Sequence, residues 1–120
     1  MIDVKSKAED QRLIIIADQA LSPEDFQAMI HDVKTEAVKL NPGFVVAVDF
    51  RGMWVDDPFI NERIKLLQEA LLAVGARKIG TLLDNPAVHM HLSQEGQRTS
   101  SNVITRRFYK EKEWEKFLSD

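Results

Sequence analysis

Leu13 to Asp49 reads LIIIADQALSPEDFQAMIHDVKTEAVKLNPGFVVAVD, and this stretch decides the fold class. Its opening run, Leu13-Ile14-Ile15-Ile16-Ala17, is apolar at every position, as a strand covered on both faces would be. Ser22-Pro23-Glu24-Asp25 then opens a helix, because the serine hydroxyl can accept from an early backbone N–H and proline needs no donor in the first turn. Phe26, Ile30, Val33, Ala37 and Leu40 recur at intervals of four and three, which predicts a helix to about Leu40, ended by Asn41-Pro42-Gly43. Phe44 to Val48 is a second continuous apolar run, closed by Asp49. Strand, helix and strand in that order predict a parallel pair joined by a crossover helix.

Upstream, Ile2 and Val4 alternate with polar residues and predict a strand that precedes Leu13. Lys7-Ala8-Glu9-Asp10-Gln11 is too short for a parallel crossover, so these first two strands should be antiparallel. Downstream, Phe50 to Asp57 reads as a loop, and Asp57-Pro58 as the start of a second helix running to about Val74, with Gly75 as its terminator. Lys78 to Leu83 is a fourth strand. Asn85-Pro86 begins a third helix that ends near Gly96, Val103 to Tyr109 is a fifth strand, and Glu111 to Leu118 is a short helix packed through Trp114, Phe117 and Leu118. The expected fold is therefore α/β: one domain over residues 1–120, a five-stranded mixed sheet flanked by four helices, in the order β-β-α-β-α-β-α-β-α. The polar stretch from Ser93 to Asn102 is the best candidate for a mobile loop.

Composition narrows the function classes. A chain of 120 residues that is 44% hydrophobic and 29% charged has the balance of a globular domain. It has no cysteine, which removes disulfides, thiolate metal sites, iron–sulfur clusters and thiol nucleophiles together. The longest apolar run falls far short of the roughly 20 residues that a membrane span needs, and the amino terminus lacks a signal-peptide pattern, so no membrane span and a cytoplasmic location are expected. Net charge is −3 and the basic residues are dispersed among acids, which makes nucleic acid an unexpected partner.

Four stretches carry a resemblance: Leu21-Ser22-Pro23-Glu24-Asp25, Pro42-Gly43-Phe44-Val45-Val46 leading to Asp49, Ala73-Val74-Gly75-Ala76-Arg77-Lys78, and Glu113-Trp114-Glu115-Lys116-Phe117-Leu118. Together with the element order, they make the chain similar to the STAS superfamily, the domain of anti-sigma-factor antagonists and of the cytoplasmic parts of sulfate transporters, especially its SpoIIAA-like bacterial branch. The resemblance implies a regulatory, protein-binding role. Anti-sigma-factor antagonists carry Asp-Ser-Ser-Gly before the second helix, and the first serine is phosphorylated. Asp56-Asp57-Pro58-Phe59 stands here, so the resemblance implies that Asp57 occupies the phosphoacceptor place without a hydroxyl. Its single charge imitates only part of the about −1.5 to −2 of a phosphoserine.

In an open α/β sheet, ligands gather beyond the carboxyl ends of the parallel strands. That rim would hold Asp49, Arg51, Trp54, Asp56 and Asp57 after the third strand, and Asp84, Asn85 and His89 after the fourth. Each has a structural explanation as well: Asp57 and Asn85 as helix caps, Asp49 as a strand-end turn former, Trp54 as a partly buried loop anchor. His89 and His91 diverge by about 200° on a helix and cannot share a metal, so no metal is expected. No serine sits on a glycine-flanked elbow, and there is no glycine-rich phosphate loop, so neither a nucleophilic triad nor a cofactor is expected. Arg106 and Arg107 leave opposite faces of the fifth strand, as on an edge protected by charge. The second helix is apolar over about half its circumference, which leaves intramolecular packing or a homodimer contact through Leu66, Ala70 and Ala73.

Three functions fit these readings. The preferred one is a non-enzymatic module that binds another protein through the rim after the third strand and the start of the second helix. A small-molecule or lipid carrier would need an apolar pocket between helices and sheet. An enzyme would need Asp49, Asp57, Asp84 and His89 to converge, with two displaced pKa values among them.

Overall fold

The computed structural model describes residues 1–54, 60–84 and 104–120. Its sheet follows chain order, β1 (Ile2–Lys7), β2 (Arg12–Ala17), β3 (Val45–Asp49), β4 (Lys78–Leu82) and β5 (Ile104–Phe108), so β1 and β5 are the edges. The β1–β2 pair is antiparallel, with Ile2 opposite Ala17 and Lys7 opposite Arg12, and a single 3₁₀ turn over Ala8–Asp10 joins them. The pairs β2–β3, β3–β4 and β4–β5 are all parallel. For the first three pairs these are the directions that the short first connection and the longer crossovers predict; the sequence reading left the direction of β5 open.

The helix α1 (Pro23–Ala37) bridges β2 and β3, and α2 (Ile60–Ala73) bridges β3 and β4. Both lie on one face, since two crossovers that step in the same direction along a sheet and share a hand must do so. Ser22 begins α1 with a reciprocal cap: its Oγ accepts from the Asp25 N–H at 3.1 Å, and its own N–H donates to Asp25 Oδ2 at 2.8 Å. The regular helix ends at Ala37 rather than near Leu40, because the next turn tightens. There Lys39 N–H donates to Glu36 O and Leu40 N–H to Ala37 O, three residues back in each case. Leu40 still joins the core, so its periodicity was preserved past the helix end.

Under α1 and α2, alternate strand residues form the main core, with Leu13, Ile15, Val46, Val48 and Ile79 against Phe26, Met29, Val33, Ile64, Leu67 and Leu71. Full burial of each such side chain contributes about 1.5–3 kcal/mol. Helix α3 (Glu111–Ser119) covers the other face through Trp114 and Leu118, against Val45, Ala47 and Leu82. Two-sided coverage is why β3 reads as an unbroken apolar run, whereas in β2 Ile14 and Ile16, on the α3 face, are only half-buried. The approach of α3 is close at Gly80, whose carbonyl accepts from Trp114 Nε1 at 2.9 Å. Lys78 lies on the same face and is buried; its Nζ donates to the Phe117 carbonyl at 2.5 Å, at the negative end of α3, and sits 4.7 Å from the Phe117 ring centroid.

Three α-helices are present among the described residues. The helix expected from Asn85-Pro86 to Gly96 lies outside them, as does the loop expected from Ser93 to Asn102. On α2, Ala70 is buried while Leu66 and Ala73 are exposed, so these three do not form the common surface expected of a homodimer contact. Ala70 shares the inward side with Leu67 and Leu71, and Leu66 and Ala73 stand on the outward side. No described helix is long and apolar enough to cross a membrane.

Candidate functional site

After β3 the chain turns over the carboxyl ends of the central strands. Phe50 and Met53 point inward and are buried, which gives the loop two apolar plugs. Backbone bonds fix both of its ends: Phe50 N–H donates to Leu82 O at 2.9 Å, and Leu21 N–H donates to Trp54 O at 3.0 Å. Ala20 and Trp54 form a parallel bridge at that second point. Between them, Gly52 adopts a positive φ of 79° that lets the chain reverse.

Asp49 is the turn former that the sequence suggests. Its Oδ1 accepts from the Arg51 backbone N–H at 3.2 Å and from Arg51 Nε at 3.0 Å, and its Oδ2 accepts from Arg51 Nη2 at 2.7 Å. Burial alone would push the Asp49 carboxyl up; the bonds and charge of Arg51 outweigh it and hold the carboxyl below its ordinary value. Arg51 also reaches Glu111 Oε1 at 3.3 Å, which ties the end of β3 to the first turn of α3. Glu111 was not singled out from the sequence, since nothing local connects it to Arg51.

Asp84 accepts from the Gly52 N–H through Oδ2 at 2.9 Å, so it too holds the loop. The structure therefore brings Asp49, Arg51 and Asp84 together around residues 50–54, with Asp49 on the guanidinium and Asp84 on a backbone N–H. Trp54 differs from expectation. Its backbone anchors the loop, but the residue is 54% exposed rather than partly buried, because Phe50 and Met53 occupy the inward positions. Asp56, Asp57, Asn85, His89 and His91 lie outside the described residues. Among the described residues, no three His, Asp or Glu side chains gather as metal ligands would.

At the opposite end of the sheet, an open cleft of about 630 Å³ is lined by Lys7, Asp10, Arg12, Arg77, Glu115 and Asp120, among others. Arg12 is paired there with Glu115 at 3.3 Å. The mixed charges make this cleft unlike the apolar pocket that a carrier of amphiphiles needs.

The fold defines the class, an α/β domain built on a five-stranded mixed sheet. No family model matches the chain, and no curated protein matches it.

Proposed function

We propose that the chain is a non-enzymatic, STAS-like regulatory module that binds another protein through the loop after β3, with Trp54 as its anchor. The observation that carries this reading is a large aromatic side chain held 54% exposed on a loop whose two ends are pinned by backbone hydrogen bonds. Exposed aromatics on a rigid frame lose little conformational entropy on binding and dominate the energetics of many protein interfaces. Asp49 and Asp84 support the same reading, since both spend their acceptor capacity on the loop that presents Trp54. In this account Asp57, at the STAS phosphoacceptor place and three residues after the anchor in the chain, supplies a permanent charge to the recognised segment, and the module works in the cytoplasm without a membrane span.

The test is recovery of partners from an extract of the cells that make the protein, with tagged wild type, Trp54→Ala and Asp57→Ser compared by quantitative mass spectrometry. A protein enriched by the wild type and lost with Trp54→Ala supports the reading. Identical recovery by wild type and Trp54→Ala contradicts it, and equal recovery with Asp57→Ser removes Asp57 from the recognised surface.

A further inference from the structure

Edge strand β5 carries an arginine that the rest of the described chain leaves without a counterion. Arg106 lies over the Phe117 ring at 5.9 Å and Phe108 packs 5.2 Å from it, centroid to centroid, so both face α3. Alternation along the strand then puts Thr105 and Arg107 on the other face, the one that carries α1 and α2. In the parallel register Thr105 is opposite Ile79 and Arg107 is opposite Thr81, so Thr81, Thr105 and Arg107 form a polar corner beside an apolar core. Thr81 is buried, and Arg107 and Thr105 are half-buried.

Two atoms of this corner, Thr105 Oγ1 and Arg107 Nε, are buried without a hydrogen-bond partner among the described residues. Such atoms are rare in folded proteins, because each gives up its bonds to water and gains nothing in return. The contrast with the other arginines near the sheet ends is direct: Arg51 meets Asp49 and Glu111, and Arg12 meets Glu115. Burial draws the Arg107 pKa below the ordinary arginine value, and only Tyr109 acts against it. The guanidinium nevertheless keeps its charge across the physiological range.

A guanidinium with no counterion among the described residues, beside threonine hydroxyls, matches one ligand chemistry. Its planar fork offers parallel N–H groups to two oxygens of one centre, and a hydroxyl can donate to a third or share one of them. We propose that Arg107, with Thr105 and Thr81 beside it, is a binding position for an oxyanion, the carboxylate or phosphate group of a small-molecule ligand, at the β4–β5 edge of the sheet. The position is separate from the Trp54 loop and does not depend on the protein-binding reading.

The arginine Nε–H signals of the ¹⁵N-labelled full chain give the test, with inorganic phosphate, acetate and dodecanoate titrated separately at constant ionic strength. Comparison with Arg107→Lys identifies the Arg107 signal; if that variant does not fold, sequential assignment through Ile104–Phe108 identifies it in the wild type. The expected result is a saturable downfield shift of the Arg107 Nε–H with at least one titrant, with the other arginine signals unmoved. A shift with phosphate or acetate assigns a free oxyanion, and a shift with dodecanoate alone assigns the headgroup of an amphiphile. The same titrant should raise the melting temperature of the wild type and leave that of Arg107→Met unchanged. An Arg107 signal indifferent to all three titrants overturns the proposal, as does an equal thermal shift in Arg107→Met.

Discussion

Asp49 and Arg51, two residues apart, meet fork to fork, with Nε 3.0 Å from Oδ1 and Nη2 2.7 Å from Oδ2. A bidentate pair of this kind fixes the direction in which the chain leaves β3. Asp49→Asn keeps the shape of the acceptor and loses its charge. The side chain of Arg51 is 46% exposed, so solvent weakens the pair, and the expected loss at neutral pH is about 1 kcal/mol, read from urea denaturation.

The pH dependence follows from the same pair. The folded-state pKa of Asp49 lies below its ordinary 3.8, so its contribution is complete above that value and disappears as the pH falls through the lower, folded value. Glu36 acts with the same sign below its ordinary 4.5, through Lys39 first, partly opposed by burial, and then through the Ser6 N–H and hydroxyl. Denaturation midpoints should therefore fall steeply in this acid range, and the gap between wild type and Asp49→Asn should close there. A gap that stays constant down to the lowest pH at which both fold would show that Asp49 stabilises without its charge.

Gly52 provides a separate test of the loop. A Cβ there would lie 3.6 Å from Asp18, an ordinary contact, so the cost of Gly52→Ala comes from the backbone at φ +79°. A loss of about 1–2 kcal/mol is expected, with the slope of the denaturation curve unchanged. Gly52→Asn should lose less, since asparagine tolerates the left-handed region better than alanine.

Gly80 tests the seat of α3. An added Cβ would lie 3.0 Å from Phe117 Cδ2 and 3.1 Å from Leu118 Cδ2, and those side chains would have to give way. Gly80→Ala should cost about 1–3 kcal/mol and disturb the environment of Trp114, whose Nε1 bonds the Gly80 carbonyl. Tryptophan fluorescence in a Trp54→Phe background, followed through a urea titration, reads both effects.

The strands and α1 were legible because several local signals agreed: two apolar runs, the Ser22 cap and the stop at Asn41-Pro42-Gly43. The role of Asp49 was legible too, since an acid at a strand end bonds the chain two residues on. What escaped depends on distant packing. The sequence cannot say that Phe50 and Met53 will take the inward positions and leave Trp54 outside, or that Glu111 will complete the surroundings of Arg51. Alternation placed Arg106 and Arg107 on opposite faces, but the lack of a counterion for Arg107 is a property of the whole described structure. Leu66, Ala70 and Ala73 were grouped by helical position, and helical position alone does not say that the fold buries Ala70 and leaves the other two exposed.

In the proposed function Trp54 anchors a partner and contributes little to the fold. The most direct measurement is the affinity of a partner recovered with the wild type, determined by calorimetry for wild type and Trp54→Ala beside their melting temperatures. An exposed aromatic that dominates an interface contributes about 2 kcal/mol or more, so affinity should fall roughly 30-fold or further, while the melting temperatures agree. Unchanged affinity in Trp54→Ala, or a lower melting temperature that accounts for the lost binding, would contradict the account.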